Sequence, residues 1–542
     1  MDIAITGIGS ICADHVAPAT ILPTIHHEWL VGEVRLTNEE LAQMIAPKPP
    51  RGDAYLTLTR NVLLGQIALQ QALADAGIRT KDEGQRTIPL INGTTVGGMD
   101  ITEQCTMHNA QCTISSQHEA AFTTRKLAEL NGLKVGTTIS TACSSALNAI
   151  IRGANLIRVG RYQQVVAGGC EAMTRFHLNG FASLGILSKQ VCRPFQPDRD
   201  GINLGEGAAY LVLEDGEVAR RRGVHIYGYI AGYGNRCDAY HQTASSPDGE
   251  GAYLAMQDAL TMAGLQPSDI TYINAHGTAT PNNDASEMAA IEKLFKPTPT
   301  PSLKGREIFI ESTKPITGHT TSASGAIEVI TCLKKLPSLQ GGDGGRLFVM
   351  NNAFGFGGND SSIVLSAMPH EMKPTPNPSL NGRALIVEGS DDYKQYLPPM
   401  QARRLTPSLR RLCVAAYKAI EQFTNHKLQI TNCTIDGIVV ATRWGGMVPT
   451  MALLEQLRTQ GEHDLSPAQF MQSTHNVAAG TLARLLGCKG YNNTLVTDNN
   501  LLETAIDDAQ LAITNGMAHC VLACAWDEKD NIIAKATIVC SD

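Results

Sequence analysis

The C-terminal part of this chain repeats a stretch of its front part at nearly constant offset, and that repetition limits the fold more than any other feature of the sequence. TTVGGM at 94–99 is answered by TRWGGM at 442–447. QHEAAFTTRKLAELNGLKVGTTISTACSSALNAI, ending at Ile150, is answered by THNVAAGTLARLLGCKGYNNTLVTDNNLLETAI, ending at Ile506. GANLIRVGRYQQVVAGGCEAM is then matched by DAQLAITNGMAHCVLACAWDE, and IIAKATIV stands for AAYLVLED. Nothing in the copy answers residues 270–360, so it amounts to half of the front module.

In the front module, short apolar runs with glycine near one end alternate with helical stretches at 58–77, 123–132, 144–159 and 284–295. Alternation of this kind predicts an α/β fold with largely buried sheets, its chemistry on the loops that follow strands. The proline-rich, aperiodic stretch AMPHEMKPTPNPSLNG reads as a connection. The expected domains are therefore 1–368, a linker at 369–382, and a half-module at 383–542. A length of 542 residues calls for more than one core, and 43% hydrophobic with 18% charged residues fits packed globular domains.

A net charge of -7 argues against nucleic acid or an anionic membrane as the main partner. The opening MDIAITGIGSICADH reads as a strand running into a glycine turn, not a secretory leader, and no apolar run reaches the roughly 18 to 20 residues that span a bilayer. Fourteen cysteines without a C-x-x-C pair suit a reducing compartment better than a zinc ribbon, and a cytoplasmic location is expected.

Cys143 sits where small residues give way to a helix whose apolar positions, Ala146, Leu147, Ile150, Ile151, Ala154 and Ile157, form a core-facing stripe. At a helix N-terminus, unpaired N–H groups and the macrodipole favour a thiolate, so a cysteine open to acylation is expected there. His276 and His319 each follow a strand-like run within Gly/Thr-rich loops. Two imidazole donors aimed at one oxygen suit the stabilisation of developing negative charge. No G-x-S-x-G elbow supports a serine hydrolase. A zinc site from Cys143, His276 and His319 lacks short ligand spacings, and an activated thiol accounts better for the helix-terminal position.

TACSSALNAI, NAHGTATPNNDASE, ESTKPITGHTTSASGAIE and NNAFGFGGND, in this order, resemble the β-ketoacyl-ACP synthases of the thiolase superfamily, with RPFQPDRDGINLGEGAA and ITGIGSICA as further matches over roughly residues 1–366. The resemblance implies a layered αβαβα thiolase-like fold followed by a degenerate half-thiolase domain. It implies Cys143 as acyl acceptor, His276 and His319 as the elongating pair that drives malonyl decarboxylation, and Lys314 and Glu287 as residues that tune the site. The N–H groups of Cys143 and Phe356 would form the oxyanion hole, with the Phe356 ring gating the acyl pocket. Thr278 and Thr280 would hold a phosphopantetheine arm, which an acyl carrier protein brings as substrate; no metal or other cofactor is expected. Asp284 reads as structural. Arg60, Arg152, Arg158 and Arg161 are candidates for docking the carrier protein.

Aligning Ile506 with Ile150 sets Asn499 opposite Cys143 and leaves no counterpart for His276 or His319. The tail resembles ketosynthase-like half-domains and, in role, the chain-length factors that accompany synthases in aromatic-polyketide and aryl-polyene, flexirubin-like, pathways. That resemblance implies pairing of synthase and half-domain, within or between chains, in a dimer-like assembly whose half-domain floors the acyl tunnel. The alternatives are primary fatty-acid elongation or a non-catalytic scaffold. His475, opposite His118, is expected at a domain interface.

Overall fold

The computed structural model describes residues 1–21, 29–45, 58–79, 87–108, 114–295, 308–339, 347–374, 380–383, 385–426, 434–462, 464–529 and 532–541. Apolar, β-branched runs such as QVVAGGCE, GAAYLVLED and CVLACAWD form strands buried along nearly their whole length, as strands covered on both faces should. They belong to one continuous sheet among the described residues, made of three five-stranded groups and the short strand Val387–Glu388, which pairs with Ile533–Ser541.

The first group runs Ile3–Cys12, Gly207–Asp215, Gln164–Glu171, Pro89–Gly93, Lys134–Ile139. The second runs Gly228–Cys237, Asn359–Ser366, Phe348–Gly355, Ile270–Asn274, Phe309–Glu311, and meets the first only through three paired positions between Ile3–Ile5 and Gly228–Ile230. The helices Ser145–Arg158 and Ser324–Lys335 are packed between these two sheets, while Arg60–Asp75 and Glu250–Ala263 cover the outer faces. This is the layered αβαβα arrangement that the resemblance implies. The helix Ser145–Arg158 departs from the one-sided stripe read from sequence, because it is buried on every face. Its polar residues are paired inside: Asn148 with Thr141, Asn235 and Ser361, and Asn155 with Tyr233.

The third group belongs to the copy: Tyr491–Val496, Gly437–Thr442, Cys520–Asp527, Ile533–Ser541 and Leu380–Arg383. Its strand order mirrors the first group, with Ile533–Ser541 in the place of Gly207–Asp215. The segment expected to be a linker is held at both ends. Met372 is buried in the front core and Lys373 N–H donates to Met262 O at 2.9 Å, while Leu380–Arg383 pairs with Ile533–Ser541; residues 375–379 lie outside the described residues.

The groups join edge to edge, Leu495 opposite Ile139 and Val496 opposite Thr138, and Ser140 N–H donates to Thr494 O at 3.0 Å. The offset that aligns Ile506 with Ile150 also aligns Leu495 with Ile139, so a pseudo-two-fold axis passes between a residue and its own counterpart. Pairing of synthase and half-domain therefore occurs within one chain. Across the same axis the helix Ser145–Arg158 faces Leu501–Thr514, and the offset sets Asp508 opposite Arg152. Arg152 forms a buried ion pair with Asp508 and reaches Asp507 at 3.1 Å, and Tyr491 and Asn493 each donate to Asp508 at 3.0 Å.

The four arginines proposed as docking residues are engaged inside the protein, which corrects that expectation. Arg60 is buried against Glu206 at 2.6 Å, Arg152 against Asp508, Arg158 donates to Tyr233 and to Lys373 O, and Arg161 pairs with Asp507 at 2.7 Å. A basic residue met in sequence is as free to satisfy an internal acceptor as to meet a partner, and here Asp507 and Asp508 of the copy claim Arg152 and Arg161 while Glu206 claims Arg60. Asp508→Ala, which strands a cation that is 6% exposed, is expected to cost about 3–5 kcal/mol of stability. Arg161→Ala, at a pair about 40% exposed, should cost less than about 1 kcal/mol. Urea unfolding followed by circular dichroism measures both, and equal shifts in midpoint would contradict the assignment.

Candidate functional site

The strand Lys134–Ile139 delivers the chain into a tight turn, Ala142–Ser144, from which the helix Ser145–Arg158 departs. Ala142 has φ 52°, a left-handed conformation that a β-carbon disfavours and that presents Cys143 sharply at the turn. Gly355 closes over the turn: a Cβ there would stand 2.7 Å from Thr141 O, so only glycine lets the end of Phe348–Gly355 come this close. His276 follows the strand Ile270–Asn274. His319 follows Gly318 and is pinned on both sides, its N–H donating to Asn203 O at 2.7 Å and its carbonyl accepting from Gly205 N–H at 2.9 Å.

Folding brings the three side chains together. Cys143 Sγ lies 2.9 Å from His319 Nε2, and His319 Nδ1 lies 3.0 Å from Ser324 Oγ. The His276 and His319 rings meet edge to face at 5.3 Å. The sulfur and one nitrogen of each ring all fall within 4.8 Å of one another. The same donor types could bind a soft cation, but that spread is wider than the ligand separations of about 3.3–3.8 Å that zinc bond lengths impose, and the sulfur and Nε2 already share a hydrogen bond.

Burial governs the protonation of this group. It pushes the Cys143 thiol up to about 12, against the lowering influences of the Lys314 charge and a hydrogen bond from the Phe356 N–H. The resting thiolate expected from a helix N-terminus is thus not formed. Desolvation outweighs the dipole, and the sulfur sits in the turn before the helix, not in its first turn. Burial, reinforced by Lys314, holds both His276 and His319 well below the ordinary histidine value, so both rings are neutral. The resting pair is a thiol hydrogen-bonded to an imidazole.

Lys314 touches neither histidine. It is 1% exposed and forms a 2.7 Å ion pair with Glu328. Glu287, pushed up to about 7 by burial, accepts from the backbone N–H groups of His276 and Gly277, both at 2.8 Å, and from Asn352 at 3.1 Å. Both are positioning residues. Asp284 accepts from the N–H of Phe195 and of Ala279 and is structural. Glu328, Ser324 and Glu171 escaped the sequence reading. Glu328 and Ser324 lie on one helix a turn apart, a spacing within SASGAIE that could have flagged them. Glu171, which accepts from Thr94, Thr95 and Val96, carries no comparable signal.

Two cavities meet at the sulfur. The outer, about 430 Å³, is lined by His276, His319 and by Thr278 and Thr280, whose hydroxyls are 2.8 Å apart. The inner, about 70 Å³, lies on the other side of Phe356 and is walled by Phe181, Trp444, Phe470 and His475. Phe356 stacks on Phe181 at 5.6 Å, and Phe470 meets Phe181 edge-on at 5.4 Å. Three of those wall residues come from the copy, and His475, bonded to Ser140 at 3.1 Å, lies at the domain interface as expected.

Family models agree with this anatomy. "Beta-ketoacyl synthase, N-terminal domain" matches residues 53–219, the corresponding C-terminal domain matches 227–338, and a second N-terminal-domain model matches 381–532. The 3-oxoacyl-[acyl-carrier-protein] synthase 2 of Vibrio cholerae serotype O1 is 33% identical over 338 residues, 55% of this chain and 80% of that one. Among solved structures, the ishigamide ketosynthase/chain length factor aligns with a TM-score of 0.58 at 26% identity, over 68% of this chain and 99% of its own. The PfaC Keto synthase-Chain length factor covers all of this chain with 78% of its own at a TM-score of 0.77 and 16% identity, a likeness of fold.

A buried thiol held near 12 gives a distinct pH signature. The rate of Cys143 alkylation by iodoacetamide, read by intact mass, should climb about tenfold per unit from pH 7 to 10, since the thiolate fraction grows without saturating. A rate that bends at about pH 8.5–9 and levels off toward pH 10, as for an ordinary thiol, would contradict it.

Proposed function

The chain belongs to the β-ketoacyl synthase family, and from that premise we propose that Cys143, His276 and His319 perform decarboxylative Claisen condensation of an elongating type between an acyl thioester and malonyl-ACP. The observation that carries the proposal is the convergence of the sulfur and two neutral imidazoles where the two cavities meet. Cys143 attacks the acyl thioester while its proton passes to His319 Nε2, 2.9 Å away. The N–H groups of Cys143 and Phe356 hold the oxyanion, and the carrier thiol leaves with a proton.

Malonyl thioester then enters the outer cavity, where its phosphopantetheine arm lies along Thr278 and Thr280. Loss of carbon dioxide places negative charge on its thioester oxygen, and N–H donors of His276 and His319 stabilise that charge as it develops. The enolate carbon attacks the Cys143 thioester, and collapse of the tetrahedral intermediate breaks its carbon–sulfur bond, releasing the β-ketoacyl product and a Cys143 thiolate that takes up a proton from solvent to restore the thiol. These steps call for no metal or cofactor besides the arm of an acyl carrier protein. Burial keeps both rings neutral, and the charge of Lys314, held by Glu328, reinforces it.

The inner pocket receives the acyl chain and Phe356 gates it. Trp444, Phe470 and His475 close it from the copy, which supports a role for residues 383–542 as a tethered length-determining partner in specialised polyketide or aryl-polyene assembly rather than in primary fatty-acid elongation. A radiolabelled acyl-ACP is expected to label the unaltered protein and not Cys143→Ala, with condensation falling at least about a thousandfold in the variant. An unlabelled wild-type protein would favour the scaffold role. Phe470→Ala should shift product mass toward longer chains, and an unchanged product distribution would remove the length-setting role.

A further inference from the structure

The wall of the inner pocket is mostly apolar but carries a polar set as well. Beside its aromatic residues it is lined by three imidazoles, His118, His177 and His475, and by Thr450, Ser473 and Thr474. A polar group there without a protein partner would stay unsatisfied beside an alkyl chain, at a cost that an aliphatic wall would not incur.

Their hydrogen bonds divide these groups into two kinds. The hydroxyls of Thr450, Ser473 and Thr474 donate to the carbonyls of Gly446, Phe470 and Met471 at 2.7, 2.6 and 3.3 Å, so their protons are committed. His118 Nδ1 lies 2.9 Å from Thr102 Oγ1, and His475 Nδ1 lies 3.1 Å from Ser140 Oγ. His177 differs. Its backbone N–H is capped by Thr174, but neither ring nitrogen has a hydrogen-bond partner among the described residues, although the residue is only 7% exposed. The ring is held by aromatic contacts alone, edge-on to Phe181 at 5.2 Å and tilted to Phe470 at 6.5 Å. Burial lowers its pKa to about 4, so it is a neutral imidazole with one uncommitted N–H.

The helix that carries it, Arg175–Ser183, is fixed from both modules: Glu103 accepts from the N–H groups of Arg175 and Phe176, and Arg175 pairs with Glu462 of the copy at 2.8 Å. A rigidly mounted donor without a protein partner, on a residue that lines the same small pocket as the nucleophile, is matched by an acceptor on the chain attached to that nucleophile.

From this we infer that the inner pocket selects acyl chains bearing a carbonyl or hydroxyl oxygen close to the thioester, with His177 as the specificity-determining donor. The inference rests on the reading that Cys143 is acylated, and it narrows the substrate from acyl chains in general to oxygenated, polyketide-type ones. In the loading step the bond from the Cys143 sulfur to the acyl carbon forms, the bond from that carbon to the donor sulfur breaks, and the thiol proton leaves with the donor thiol.

The test uses the full chain and three six-carbon pantetheine thioesters, hexanoyl, 2,4-hexadienoyl and 3-oxohexanoyl, with the rate of Cys143 acylation read by intact mass. The 3-oxo chain is expected to load about three- to tenfold faster than the other two, the range a single neutral hydrogen bond supplies. His177→Phe keeps the ring contacts with Phe181 and Phe470 but removes the donor, and should bring the 3-oxo to hexanoyl ratio near one. His177→Asn restores a donor and should recover part of the ratio, which a merely structural role would not do. Equal loading of all three by the unaltered protein, preference for the dienoyl chain, or a ratio unchanged in His177→Phe would overturn the oxygen-selective pocket while leaving Cys143 as nucleophile. Failure of every thioester to load would overturn both.

Discussion

One buried ion pair decides how this chain can assemble. Arg152 and Asp508 occupy equivalent positions in the two copies and meet across the pseudo-two-fold axis. Two front modules brought together by the same surface would set Arg152 against Arg152, two desolvated cations without a counter-charge, and two copies would set Asp508 against Asp508. Like-charge burial costs far more than the edge-to-edge strand pairing returns, so the surface accepts only the unlike partner. Tethering supplies that partner at high effective concentration, and the hydrogen bonds from Tyr491 and Asn493 fill the remaining acceptor sites of Asp508. The inner pocket, with walls from both modules, exists only because this pairing holds.

The same burial shapes the chemistry. A helix terminus by itself would favour a thiolate, yet the sulfur is enclosed and desolvation wins. The consequence is a division of labour: nucleophilicity is generated during reaction by transfer to His319, and not stored at rest. Lys314 is the sole charge assigned to both the sulfur and the two rings, and its effects differ in sign of benefit. It eases ionisation of the thiol and opposes protonation of the imidazoles. Glu328 makes that cation tolerable in the interior, which is why the ion pair stands beside the site although it touches no reacting atom.

Much of this was legible in the sequence, and what was not has a common cause. The repeat predicts the mirrored strand order, and strand-end glycines with the His and Cys motifs mark the loops that converge. Helix limits agree to within three residues: Arg60–Asp75 for 58–77 and Ser145–Arg158 for 144–159. The failures all concern surroundings. Periodicity assigns Asn148, Arg152 and Asn155 to a solvent face, but the helix is buried between two sheets and a second module, so polar residues pair inward. The docking arginines fail for the same reason. A thiolate at Cys143 was inferred from local backbone geometry, whereas its protonation is set by enclosure that residues far along the chain provide. Glu171 and His177 act through partners, or the lack of them, and sequence spacing carries neither.

The edge strands of the two modules are covered differently. The strand Tyr491–Val496 is buried throughout, because Asn235 and Asn359 from the second sheet of the front module reach over it to Asn492. The equivalent strand, Lys134–Ile139, is exposed over Lys134, Val135 and Gly136. What the copy retains is the edge strand, the helix bearing Asp508, and the segments carrying Trp444, Phe470 and His475 that enclose the inner pocket. The second sheet of the front module supplies His276, Lys314, His319 and Phe356, so the reacting groups come from one module and three walls of the inner pocket from the other. The exposed stretch at Val135 stops at the junction, where the adjoining Thr138 and Ile139 are buried against the edge strand of the copy.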